Sequence, residues 1–287
     1  MFICIVAQRN IYHYFVEYIH SILYWFDKYD IQHDIIFHDD PKIYEKIEKA
    51  DLNICIQMLL LDDQKVTNPK KRIMIFNTEQ YTRKTYYYNH ILSLLNNGYN
   101  ILDYQSGNML FMNKETNGKF DSQMFYLPYL YCNVDKILMK KKRTKDICFV
   151  GTVTQYRYDI LNELRKEIQI DILNDFGDRR DNRLSDYKIV LNLSADPSYQ
   201  VFETIRCYRC IFNKILVVSD EKLYKENNKI DSMCMFVDKS KLLEMLKYTL
   251  ENYNKILKEK YDLKENEFIS WSDEQFKNFL EKVKHIN

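Results

Sequence analysis

The stretch Lys188-Ile-Val-Leu-Asn-Leu-Ser194, the loop Ala195 to Gln200, then Val201-Phe-Glu-Thr-Ile-Arg-Cys-Tyr-Arg209 and Lys214-Ile-Leu-Val-Val-Ser-Asp220 read as strand, loop, helix, strand. A short unbroken apolar run suits a strand buried on both faces, and an amphipathic run between two of them suits a crossover helix, so this is part of a parallel α/β sheet. Ligands of such sheets bind beyond the carboxyl ends of the strands. Asn192, Ser194 and the loop with Pro197 and Tyr199 are therefore expected to line a crevice. Glu203, with Thr204 after it, falls in the first turn expected for the next helix, where a carboxylate suits the dipole and can accept hydrogen bonds from vicinal hydroxyls. Arg206 lies one turn on along the same face, and the two also fit a plain i, i+3 surface ion pair.

The same pattern extends in both directions. Upstream, Asp146 to Val150 predicts a strand, Gln155 to Glu167 a helix, and Ile168 to Leu173 a strand; downstream comes Met233 to Val237. Phe149-Val-Gly-Thr152 closes the first of these strands and opens the helix bearing Arg157. With only five glycines in 287 residues, each is expected to mark a backbone position that excludes a side chain, here one that admits an anion to a helix N-terminus. No G-x-G-x-x-G occurs, which removes the dinucleotide fingerprint. A first α/β series precedes this one. Met1 to Val6, Ile31 to Phe37, Leu52 to Met58, Arg72 to Phe76, Asn100 to Asp103 and Met124 to Leu127 are strand candidates. The helices fall after a cap at Asn10, near 41 to 50 and near 82 to 97. Residues 131 to 145, with Lys140-Lys-Lys-Arg143, break the pattern and read as a linker. Two terminal helices are expected near 239 to 259 and from a Ser272 cap to about 285.

Composition excludes several classes. Apolar residues at 46% and charged residues at 29% describe a folded globular chain, and 42 Lys plus Arg against 41 Asp plus Glu leave a net charge of +1. That balance gives no global footprint for nucleic acid or an anionic membrane, so no nucleic-acid partner is expected. No apolar run reaches the length of a membrane span. Seven irregularly spaced cysteines without a signal peptide imply reduced thiols and a cytoplasmic location. Cys207 and Cys210 have C-x-x-C spacing but lack a second pair for zinc.

In the first half, Asn77-Thr-Glu79-Gln80 follows the strand ending at Phe76, and helix one sets His13, Glu17 and His20 on a polar face at i, i+4 and i+7. Zinc would need a further ligand there. No Asp-x-Asp occurs; Asp39-Asp40 and Asp62-Asp63 would point to opposite faces of a strand, so no essential metal is expected. Asp175-Phe-Gly-Asp178, without the glycine-rich and catalytic loops of a kinase, reads as a turn.

The order strand-Gly-helix, strand-Asn, helix beginning with Glu, and Val-Val-Ser strand resembles the donor-binding domain of GT-B-fold glycosyltransferases, over most of residues 124 to 285. The resemblance implies two Rossmann-like domains facing across a cleft, with an acceptor domain over 1–130, a linker over 131–145 and a nucleotide-sugar domain over 146–270. Residues 271–287 would then form a helix, with Trp271, crossing back to the first domain. It implies transfer of a hexosyl or similar sugar to a glycan, lipid or protein hydroxyl, with a UDP- or GDP-sugar as co-substrate and no other cofactor. Gly151 and Thr152 would meet the diphosphate, Arg157 or Arg206 would neutralise it, Glu203 would hold the ribose or sugar, and Glu79 or His13 would serve the acceptor. The chain departs from the family where Ile211 replaces a second glutamate, and where Asn213-Lys214 replaces a Gly-x-Pro turn. The missing second glutamate supports another reading, a binding protein that has lost turnover. A further one is an α/β enzyme of another nucleotide-bearing substrate, such as a sugar-nucleotide epimerase or a glucosyltransferase acting on DNA bases, the latter disfavoured by the near-zero net charge.

Overall fold

The computed structural model describes residues 1–56, 70–134, 136–226, 228–261 and 265–286. The chain divides into two compact units, Met1–Asp135 with Trp271–Asn287, and Lys136–Ser270.

In the first unit the chain runs β1 (Phe2–Ala7), α1 (Arg9–Lys28), β2 (Gln32–Phe37), α2 (Ile43–Lys49), β3 (Leu52–Ile56), β4 (Ile73–Asn77), α3 (Tyr86–Asn96), β5 (Asn100–Asp103), α4 (Ser106–Thr116) and β6 (Met124–Tyr126). All pairings are parallel, in the order β2-β1-β3-β4-β5-β6. β3, β4 and β5 are buried along their whole length, which is why they read as mainly apolar, with polar Asn53, Asn77, Asn100 and Asp103 buried among them; β2, at the edge, has exposed positions. Helix α1 closes the unit by clamping the stretch after β6. Tyr18 Oη donates to Leu127 O at 2.6 Å, Ser21 Oγ to Leu130 O at 2.7 Å and Trp25 Nε1 to Tyr131 O at 2.9 Å.

The second unit runs β7 (Lys145–Val150), α5 (Gln155–Arg165), β8 (Asp171–Leu173), α6 (Gly177–Leu184), β9 (Tyr187–Asn192), α7 (Thr204–Phe212), β10 (Leu216–Asp220), β11 (Met235–Val237), α8 (Leu242–Glu251) and α9 (Tyr253–Tyr261). Its parallel sheet has the order β11-β10-β9-β7-β8. Counted within each unit, both sheets follow the 2-1-3-4-5 order, the first with one strand more. Each therefore reverses direction beside its first strand, between β1 and β3 and between β7 and β9, where doubly wound sheets bind ligands. The last helix, α10 (Glu265–Lys284), begins in the second unit, and its residues from Trp271 on group with the first.

Several local expectations are corrected. The residue before α1 is Gln8, so Asn10 lies inside the helix and caps nothing. Ser272 is also internal: it sits within α10, and its hydroxyl accepts from Tyr131 N at 2.9 Å. The segment expected as one helix over 239 to 259 is α8 followed by α9, and α4 was not anticipated. Asp175 to Asp178 is no isolated turn; it leads into α6, which ion pairs Arg183–Asp175 and Arg209–Asp181 hold in place of an apolar stripe. Helix α7 begins at Thr204 rather than Val201, because Val201 pairs with Tyr224 in a parallel bridge. At its far end Lys214 takes the left-handed φ of +56° that glycine usually fills, while Ile215 N bonds to Cys210 O at 2.9 Å. Met58 and Asp62-Asp63 lie outside the described residues.

Trp25→Ala removes a fully buried indole and its bond to Tyr131, and is expected to destabilise the first unit by about 3–5 kcal/mol in urea unfolding followed by circular dichroism.

Candidate active site

At the switch point of the second sheet, β7 ends at Val150 and Gly151 turns to a φ of +126°. A Cβ there would meet Arg206 Nη2 at 3.3 Å and Cζ at 3.4 Å, so both backbone and space call for glycine, and the Arg206 guanidinium packs against its α-carbon. Arg206 Nη1 donates to Asn192 Oδ1 at 3.3 Å. Arg157, from the first turn of α5, is buried. It donates from Nε and Nη2 to Leu193 O at 3.1 and 2.8 Å, and from Nη1 to Thr152 O at 2.8 Å. Burial, and then the charge of Arg206, pull its pKa down to about 10, against Glu203, Asp220 and Tyr199. It stays protonated at neutral pH. Among the described residues neither arginine makes an ion pair. Thr154 caps α5, accepting from Arg157 N and donating to Ala195 O at 2.6 Å, which ties the start of that helix to the loop after β9.

That loop is fastened at its root. Ser194 N donates to the Asp220 carboxylate at 3.1 and 3.2 Å, and Ser194 Oγ lies 2.5 Å from Asp220 Oδ2 and 3.1 Å from Tyr199 O. The Lys222 ammonium reaches Asp220 Oδ1 at 2.5 Å and also bonds Ser194 Oγ. Phe202 N to Tyr224 O and Tyr224 N to Gln200 O, at 3.1 and 3.0 Å, fasten its far end. The loop delivers Glu203 to the N-cap position of α7, not to its first turn, and the Glu203 side chain does not cap the helix. Thr204 opens α7 and is buried.

At the carboxyl edge of the first sheet, a carboxyl with an amide cage stands behind the turn bearing Glu79. Asp103, fully buried at the end of β5, accepts from Gln105 N at 2.8 Å, from Asn77 Nδ2 at 2.7 Å and from Asn108 Nδ2 at 3.0 Å. The same two amides donate to Glu79 O at 2.7 and 2.9 Å. Glu79 is half-buried and lies 3.4 Å from Arg83 Nη1. His13 is exposed in α1, its ring 3.9 Å from that of Tyr14. Glu17 is buried, so His13, Glu17 and His20 do not share a solvated polar face. Asp39 pairs with Arg9, and Asp40 with Lys46. Among the described residues no group of three or more His, Cys, Asp or Glu is placed to hold a metal ion. All seven cysteines are buried, and none is joined in a disulfide.

The structure thus brings Gly151, Thr152, Arg157, Asn192, Ser194, Tyr199, Glu203 and Arg206 into one neighbourhood of the second unit. His13 and Glu79 follow different strands of the first, β1 and β4, with β3 between them. Sequence reasoning missed Asp103, Asp220 and Lys222. The available signal was an aspartate closing an otherwise apolar strand at its carboxyl end, in Leu102-Asp103 and Ser219-Asp220.

No family model matches the chain. Two sequence relatives are uncharacterized proteins of Acanthamoeba polyphaga mimivirus. R358 is 32% identical over 171 residues, 58% of this chain and 58% of that protein. L137 is 28% identical over 199 residues, 67% of this chain and 26% of that protein. The chain thus spans about a quarter of L137 and somewhat over half of R358. Among solved structures, an alpha-glucosyltransferase in complex with UDP and a 13-mer DNA containing an HMU base superposes with a TM-score of 0.67 at 10% identity, covering 99% of both chains. The same kind of enzyme with UDP-glucose and DNA containing an abasic site gives 0.65 at 11% identity, again over 99% of both. AviGT4, a glycosyltransferase involved in avilamycin A biosynthesis, gives 0.55 at 9% identity over 98% of both. The chain has the GT-B fold of glycosyltransferases, as the resemblance implied.

Asp103 gives the first unit a pH dependence. Burial, opposed by the amide bonds, raises its pKa from 3.8 to about 7, so between these values the folded state holds a proton that the unfolded state has released. Its contribution is present in full below pH 4 and is lost as pH rises to 7, at about 1.4 kcal/mol per pH unit. Asp103→Asn is expected to remove that slope from urea-unfolding free energies measured at pH 4.5, 5.5 and 6.5; an unchanged slope would contradict the assignment.

Proposed function

We propose that the chain is a glycosyltransferase moving a sugar from a nucleoside-diphosphate sugar, with UDP as the carrier, to an acceptor hydroxyl. The observation behind this is the pair of guanidinium groups, making no ion pair among the described residues, beside Gly151, at the switch point of the second sheet and the N-terminus of α5. As the bond between the anomeric carbon and the diphosphate oxygen breaks, negative charge grows on the departing diphosphate. Arg206 meets that charge directly. Arg157, with three N–H groups committed to backbone carbonyls, fixes the neighbouring loops and adds its field. Donors already in place when the charge develops stabilise it without reorganisation, the task that an Asp-x-Asp metal performs in other transferases. Gly151 and Thr152 admit the phosphates to the helix N-terminus, Asn192 orients Arg206, Ser194 and Tyr199 shape the loop, and Glu203 with Thr204 holds donor hydroxyls. The acceptor oxygen forms the new bond to the anomeric carbon and loses its proton to a base from the first unit, Glu79 or His13.

The acceptor expected from sequence is a glycan, lipid or protein hydroxyl. A second reading, transfer to a hydroxyl on a DNA base, is favoured by the DNA held in similar solved structures. The net charge of +1 had spoken against nucleic acid, but it does not weigh on a local contact.

Calorimetry with EDTA-treated protein against UDP, GDP and their glucose conjugates tests the donor site. Selective binding of one nucleotide is expected. Arg206→Ala should weaken it by about 10- to 100-fold, through loss of a charged hydrogen bond, without lowering the thermal midpoint. Glu203→Ala should reduce affinity for the sugar conjugate more than for the free nucleotide. Unchanged affinity in both variants would sink the assignment. Binding without turnover on hydroxymethylated DNA or glycan acceptors would point to the non-catalytic reading.

A further inference from the structure

The charges around the arginine pair do not sum simply. Asp220 is one peptide unit away from Arg157: the 193–194 peptide gives its carbonyl to the Arg157 guanidinium and its N–H to the Asp220 carboxylate. From the other side, Asn192 joins Arg206 through Oδ1 and Ser219 through Nδ2, and Ser219 Oγ lies 3.0 Å from Asp220 O. A bare carboxylate so close would cancel much of the field that the arginines present to an anion, since a unit charge at such range in a half-dry site is felt strongly. It is not bare. The Lys222 side chain is 1% exposed, and its ammonium makes its ion pair with Asp220.

We propose that Lys222 sets the affinity of this site for a diphosphate. It acts through Asp220, neutralising that carboxylate so that the positive charge of Arg157 and Arg206 is left for the ligand. Lys222 is a positioning residue in this scheme and does not touch the ligand. The inference rests on the anion site proposed above, but not on the nucleotide or the sugar. It differs from a purely mechanical role for the Ser194–Asp220–Lys222 knot in the sign of one effect. If the knot only held the loop, removing either partner would loosen the site and weaken binding. If charge is what matters, removing Lys222 weakens anion binding and removing the Asp220 charge strengthens it.

The test is titration calorimetry at low ionic strength, with inorganic pyrophosphate and UDP as separate probes. Lys222→Met is expected to weaken both by about tenfold or more, and Asp220→Asn to tighten both by about threefold or more. The double variant should return close to wild type. Lys222→Arg, which keeps the charge, should bind as wild type does. If Lys222→Met does not fold, Asp220→Asn and the double variant still read the sign. Weaker binding in Asp220→Asn would overturn the proposal, as would wild-type protein that binds neither probe. Binding of pyrophosphate without UDP would refute the nucleotide reading and leave the test of Lys222 intact.

Discussion

The peptide between Leu193 and Ser194 lies just past the end of β9, where sheet pairing no longer satisfies its polar groups, yet it is buried. A peptide in that position needs a donor for its carbonyl and an acceptor for its N–H. Arg157 supplies the one and Asp220 the other. Much of the second unit follows from this. The loop from Ser194 to Gln200 leaves the sheet in one direction, Val201 and Phe202 dock on Tyr224, α7 starts at Thr204, and Arg206 arrives over Gly151. The arrangement buries a lysine and an aspartate together, which is weak as a source of stability but costly to break by removing one partner.

The two units solve the same problem with different chemistry. Each ends an inner strand with a buried aspartate at the carboxyl edge of the sheet, where it organises the next turn. Asp103 is surrounded by neutral donors, two side-chain amides and one backbone N–H, and burial wins over them, so its pKa rises to about 7. Asp220 has a cation beside it. The first design holds the Glu79 turn through amides that grip both the carboxyl group and Glu79 O. The second places a compensated charge pair next to two arginines.

The strands were legible because burial on both faces of a parallel sheet leaves an unbroken apolar run, as in Ile73 to Phe76 and Leu216 to Val218. Helix α4 was not, because Met109 to Met112 cluster without helical spacing. Helix α6 buries only Leu184 and is held by ion pairs to Asp175 and to Arg209, partners that periodicity cannot reveal. Ser272 has the residue type of a cap, but its hydroxyl meets a backbone N–H 141 positions away. In the site, the scarcity of glycine made Gly151 stand out, and the strand-loop-helix order placed Asn192, Glu203 and Arg206. What Arg157 does could not be read, since the carbonyl it holds is 36 residues distant. Lys222 sits only two residues from Asp220, but its meaning depends on what that carboxylate also holds, Ser194, 26 residues distant.

Placing Arg157 and Arg206 side by side works against folding. Burial and mutual repulsion both disfavour the charged form of Arg157, and only Glu203, Asp220 and Tyr199 pull the other way. A chain selected for stability alone would place a carboxylate between two such groups, as it does at Arg209, which meets Asp181. At Gly151 it instead removes a side chain, bends the backbone into a conformation that other residues avoid, and gives the guanidinium no ion pair among the described residues. Pairing Asp220 with Lys222 limits how far that carboxylate can relieve the repulsion. The unspent positive charge is then available to whatever anion enters at the carboxyl end of β7, and binding such an anion satisfies a demand that folding left open.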